Sequence, residues 1–93
     1  NGSVFDELSL SPVPCDDFLN LSFICMRAGK VECSVLNARG ALVKSLIIPV
    51  IQTGNQYIRL DLHGLPGGFY MLKLQFPDYG NSNVTSSFLI RNK

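Results

Sequence analysis

Tryptophan is absent from this chain of 93 residues, histidine occurs once, and only 16% of the residues are charged. Each scarcity removes a class of function. Without Trp, Tyr57 and Tyr79 are the loose candidates for an aromatic platform that a sugar could stack on. The one histidine, His63, falls in a turn, and the spacing of the three cysteines fits no zinc pattern. Eight basic residues against seven acidic ones leave a net charge of +1. The basic residues are dispersed, so a nucleic-acid partner has no electrostatic footprint to meet. The longest apolar run, residues 46–51, holds Pro49 and is far too short to span a bilayer. No charged start leads into an apolar segment, so an exported chain is expected to carry its signal peptide upstream in a longer precursor. Nowhere does a 3.6-residue apolar stripe persist with helix caps, which predicts no long helix.

What is present favours strands. The chain is 46% hydrophobic, with six Phe and three Tyr, side chains that fit a pleated, half-buried surface. Its length bounds it to one domain, residues 1–93, with Asn1-Gly2-Ser3 open to being a leftover tag. Alternation of apolar and polar residues predicts strands over 4–11, 18–25, 30–37, 41–48, 56–62, 69–76 and 85–91. Pro12 and Pro14 force an extended kink after the first. Arg27-Ala28-Gly29 turns the second back, and Asn37-Ala38-Arg39-Gly40 is a tight turn with Asn and Gly supplying positive φ. Pro49 ends the fourth strand, and residues 77–83 form a polar loop. Seven short strands at this spacing predict an all-β fold, a seven-stranded antiparallel Ig-like β-sandwich.

The stretch that organises the rest is residues 59–76, RLDLHGLPGGFYMLKLQF. Leu60 and Leu62 alternate with Arg59, Asp61 and His63, and Gly64, Pro66, Gly67 and Gly68 then break the pattern. Tyr70, Leu72, Leu74 and Phe76 share one face of the following run; Phe69, Met71, Lys73 and Gln75 share the other. Such a corner predicts that Leu65 tucks under the turn and that Tyr70 returns its hydroxyl to a nearby main-chain group, as in a tyrosine corner.

Chemistry is harder to find. Cys25 and Cys33 flank residues 26–30 in phase with apolar neighbours, leaving either a cross-strand disulfide or two buried thiols. The geometry that a disulfide demands favours the thiols. Asp16, Asp17 and Asp78 could bind Ca²⁺, but two adjacent acids and a distant third read as solvated turns. Asn1-Gly2-Ser3, Asn20-Leu21-Ser22 and Asn83-Val84-Thr85 match the glycosylation acceptor pattern, which chance often produces. With no paired carboxylates, activated nucleophile or phosphate-cradling loop, and no cofactor site, the chain is not expected to be an enzyme.

Four segments in order carry a resemblance. They are Leu10-Ser11-Pro12-Val13-Pro14 leading into Asp17-Phe18-Leu19-Asn20-Leu21, the hairpin from Gly29-Lys30-Val31 to Gly40-Ala41-Leu42-Val43, Leu65-Pro66-Gly67-Gly68-Phe69-Tyr70 after Leu60-Asp61-Leu62, and Phe88-Leu89-Ile90-Arg91-Asn92-Lys93. From about Leu8 to Lys93 the chain resembles the C-terminal sorting domain (type A) of the type IX secretion system of Bacteroidetes such as Porphyromonas. It departs from that pattern at Val13, where the family usually carries Asn, and in holding three cysteines.

The resemblance implies a signal rather than a catalyst. It implies transit of the periplasm, recognition by the outer-membrane translocon and its shuttle proteins, and delivery to the cell surface. A sortase-like signal peptidase then removes the domain and joins the cargo to an anionic lipopolysaccharide, or the domain is retained and binds that lipopolysaccharide. The cargo that normally precedes such a domain does not lie within these 93 residues, which are therefore expected to be an isolated fragment or a mature C-terminal piece. Two features suit a receptor: the last strand, with Phe88, Leu89, Ile90, Arg91 and Lys93, open to strand addition, and the turn of Leu65, Pro66, Gly67 and Gly68 with Tyr70. An exposed edge also admits strand-swapped homodimers. A carbohydrate-binding or adhesive module and a passive Ig-like spacer are the rival readings.

Overall fold

In the computed structural model, which describes residues 5–80 and 82–91, seven strands follow one another. They are β1 (Phe5–Ser11), β2 (Phe18–Cys25), β3 (Gly29–Asn37), β4 (Leu42–Val50), β5 (Gly54–Asp61), β6 (Gly68–Phe76) and β7 (Ser82–Ile90). All their pairings are antiparallel, in two sheets ordered β1-β2-β5 and β4-β3-β6-β7. The predicted all-β sandwich is therefore what these residues form. The helical content among the described residues is one 3-10 turn, Pro77–Tyr79.

Period-two alternation places the core. Leu19, Leu21 and Phe23 from β2, Val31, Cys33 and Val35 from β3, and Tyr70, Leu72, Leu74 and Phe76 from β6 all turn inward and are buried. Each fully buried large apolar side chain is worth about 1.5–3 kcal/mol. Phe5 packs edge-on against Phe23 at one end of the core, and Tyr70 stacks on Phe88 near the other, each pair 5.8 Å between centroids.

The structure corrects the sequence reading at several joints. Arg27-Ala28-Gly29 carries the chain from one sheet to the other instead of closing a hairpin: β2 pairs with β1 and β5, β3 with β4 and β6. Cys25 and Cys33 are therefore not cross-strand partners, and Cys15, Cys25 and Cys33 are all buried free thiols. Gly29 is needed at this crossing, since its φ is +146° and a Cβ there would stand 2.6 Å from the Phe76 ring. In the β3–β4 turn Gly40 takes positive φ but Asn37 does not. Asn37 acts through its side chain instead, its Oδ1 accepting from the Arg39 and Ala41 amides at 2.9 and 3.0 Å.

β4 does not stop at Pro49 but runs on to Val50. It is an edge strand, and the alternation of the ladder turns the missing N–H of Pro49 away from β3, where no hydrogen bond is lost. β5 begins earlier than predicted and ends at Asp61, although the Leu62 amide keeps its register with the chain before β2, donating to the Asp17 carbonyl at 2.7 Å. β7 begins at Ser82, since the Pro77–Tyr79 turn and left-handed Gly80 reverse the chain sooner than a flexible loop would. The predicted start of the first strand at Val4 lies outside the described residues.

Candidate recognition site

The two segments singled out in the sequence meet in space. Gly68 pairs with Ile90, Phe69 with Leu89 and Tyr70 with Phe88, so the 62–68 arch and the end of β7 form one end of the sandwich. The arch is built as predicted. Leu65 is half-buried against the core, and its amide donates to the Leu62 carbonyl at 3.1 Å. The Tyr70 hydroxyl donates to the Pro66 carbonyl at 2.6 Å, which closes a tyrosine corner. Pro66 and Gly67 remain exposed on its outside.

β7 is the other edge of the four-stranded sheet. Phe88 and Ile90 point into the core, 2% and 3% exposed, while Leu89 points outward, 46% exposed. Arg91 is exposed and follows the strand; Lys93 lies outside the described residues. Part of the edge is already occupied. Cys15, from the proline-rich β1–β2 link, lies parallel beside Ile90. Its amide donates to the Leu89 carbonyl at 2.9 Å and its carbonyl accepts the Arg91 amide at 2.7 Å. Since Leu89 and Arg91 turn their main-chain groups off the sheet, the period of two gives Thr85 and Ser87 the same orientation. The edge is thus closed beyond residue 88; over residues 84–88 no strand among the described residues pairs with its outer side, although β1 of the other sheet runs close by.

The same link ties down the charged groups. Asp16 holds the Arg91 guanidinium at 3.4 Å, with both side chains more than half exposed, so this pair adds little stability. Asp17 stands 3.8 Å from His63, whose side chain is 80% exposed. His63 is a turn residue at the rim of a small cavity of about 110 Å³ that Lys44, Asp61 and Leu65 also line. Asp16 and Asp17 sit beside the end of β7, whereas Asp78 follows β6 at the opposite end. Among the described residues no three His, Cys, Asp or Glu side chains converge to hold a metal.

On the outer face of the other sheet, Tyr57 is 76% exposed and borders a shallow groove of about 390 Å³ with Asn20, Ser22 and Arg59. The Arg59 guanidinium lies 4.0 Å from the centre of the Phe18 ring. The sequence reading assigned no role to Phe69 and Met71. The structure leaves them 47% and 37% exposed close to Leu89, and the signal was their phase opposite Tyr70 in β6.

Fold and site together define a small Ig-like β-sandwich whose accessible features are an open strand edge and a braced turn. The chain belongs to the family described as Secretion system C-terminal sorting domain, whose profile matches residues 9–91. Membership makes it a C-terminal sorting signal for type IX secretion and implies export toward the outer membrane or cell surface through contact with that machinery. The family is not an enzyme family. Comparison with curated proteins and with solved structures gave no match.

Proposed function

We propose that the folded chain acts as a single non-catalytic unit that directs its parent protein through the type IX translocon for attachment at the cell surface. The observation that carries this reading is the family match over nearly the whole chain. In the mechanism we favour, a receptor strand of the translocon or a shuttle protein adds to β7 over residues 84–88, through the outward main-chain groups of Thr85 and Ser87. The Leu65-Pro66-Gly67-Gly68 arch and Leu89 give it a second, non-periodic feature to read. After transit of the periplasm and outer membrane, a sortase-like peptidase removes the domain and joins the cargo to anionic lipopolysaccharide, or the domain stays and holds that lipopolysaccharide. The open edge that serves a receptor also admits a strand-swapped homodimer.

Ser87→Pro tests the edge. The serine side chain is exposed, and its amide points off the sheet, so proline removes a donor to an added strand but none to β6. Export of a fused reporter is expected to fall about tenfold, the factor set by about 1.4 kcal/mol of lost binding. Undiminished export by a variant that melts like the parent would contradict strand addition.

One observation favours a second reading, a saccharide-binding or adhesive module: the exposed Tyr57 ring flanked by Asn20, Ser22 and Arg59. A ring face beside polar groups suits a pyranose. A surface-polysaccharide titration that perturbs the Tyr57 resonances, with export unaffected by the chain, would favour it over the sorting reading.

A further inference from the structure

Most of the exposed apolar side chains of the four-stranded sheet gather at one end of its outer face; Ile47, 53% exposed, stands apart on the β4 edge beyond the polar row. Register across the strands sets Leu42 beside Leu36, Leu36 beside Met71, and Phe69 beside Leu89 in the adjoining row. Leu42, Phe69, Leu89 and Met71 are 58%, 47%, 46% and 37% exposed, and Leu36 is half-buried. One row further on, the same face turns polar with Ser45, Ser34, Lys73 and Thr85. A sheet face that packs on nothing is ordinarily polar, so contiguous large apolar side chains grouped at one end mark an interaction surface. A pocket of about 230 Å³ opens beside Phe69, lined also by Gly67, Gly68 and Arg39.

Charge limits what can sit there. Lys73 lies in the neighbouring row and Arg39 at the rim of the pocket; the acid on this face among the described residues, Glu32, lies beyond the Ser34–Lys73 row. At the β7 side, Arg91 and Asp16 offset each other. We propose that this patch docks a protein segment of the export machinery that presents apolar side chains next to a carboxylate. The apolar groups cover Phe69, Met71 and Leu89, one of them enters the pocket, and the carboxylate meets the Arg39 guanidinium, which suits it with two parallel donors. A second copy of the chain fits worse, because a two-fold contact would set one basic rim against the other. An anionic bilayer fits worse as well, because it leaves the pocket beside Phe69 unfilled.

This inference rests on the sorting reading for the identity of the partner, and the experiment separates the two. A reporter fused to the chain is expressed in a host with this secretion system in three forms: unchanged, Arg39→Glu with Lys73→Glu, and Phe69→Thr with Met71→Thr. A photocrosslinking benzoylphenylalanine at Met71 reports on contact. The docking predicts that both double variants melt within a few degrees of the parent yet lose export about tenfold. It also predicts that Met71 crosslinks to a secretion-machinery peptide holding Asp or Glu near the crosslinked site, and that the adduct is lost in the Arg39→Glu, Lys73→Glu form. Full export by both variants overturns the docking, as does an adduct to a second copy, or binding of the purified chain to phosphatidylglycerol vesicles that the Met71 substitution abolishes. Failure of the unchanged fusion to leave the cell counts against the sorting reading instead, and the identity of the adduct then decides the docking by itself.

Discussion

Cys15, Cys25 and Cys33 are each 0% exposed, and their surroundings set their chemistry. Burial pushes the Cys33 thiol up from its ordinary 9.0 to about 11, with Lys44 nearby pulling the other way. Burial also raises Cys15, partly offset by a main-chain hydrogen bond. The Cys25 thiol donates to the Arg27 carbonyl at 3.2 Å. These thiols work as small core hydrophobes, so the folded chain should react negligibly with a thiol reagent at pH 8 and fully once denatured. The sign of the pH effect follows. Because the folded pKa of Cys33 is raised, the unfolded chain ionises first, and its contribution to stability is intact below pH 9 and lost as pH climbs toward 11. Urea unfolding across that range should give a steeper decline for the parent than for Cys33→Ala. Equal slopes would show that this thiol does not carry the effect. The sequence favoured buried thiols here from the phase of Cys25 and Cys33, but it placed the two on one hairpin. Nothing local in Arg27-Ala28-Gly29 distinguishes a turn within a sheet from a crossing between sheets.

At the level of elements, the arch was the most legible part of the chain. Leu65-Pro66-Gly67-Gly68 and Tyr70 carry their own local chemistry, so the half-buried plug and the 2.6 Å hydroxyl bond could be read before any tertiary contact was known. Tyr70→Phe should cost about 0.5–1.5 kcal/mol, the net worth of one hydrogen bond, and lower the melting temperature by several degrees. An unchanged melting temperature would mean that the clasp is incidental. Export that falls further than this loss of stability explains would mean that the arch itself is read. Pro49 and Cys15 show what remained hidden. Whether a proline ends a strand depends on which side of the sheet its nitrogen faces, and the pairing of Cys15 with Ile90 joins residues far apart in the chain. Those long-range facts decide where the β7 edge is open. They also explain why deleting residues 88–93 is a poor test of recognition. Phe88 and Ile90 are core residues, so such a chain loses its fold and its signal together, whereas Ser87→Pro spares the core.

For the molecule as a whole, the division of labour is by face. The inner faces hold the apolar alternation that makes the sandwich. The strand edges and the outer faces carry what a partner can reach. Composition pointed to fold class and to a lack of catalytic machinery, but outward-facing residues such as Phe69, Met71 and Arg39 acquire meaning only when register sets them beside Leu89 and the arch. The measurement that bears most directly on the sorting function is surface display. A periplasm-directed fluorescent protein carrying residues 1–93 is followed in a host with the type IX system and in one lacking the translocon, and the mass of the surface species is recorded. Fluorescence at the surface of the first host alone is the expected result, the mass then separating a removed domain from a retained one. Fluorescence confined to the periplasm of both hosts would contradict the sorting function.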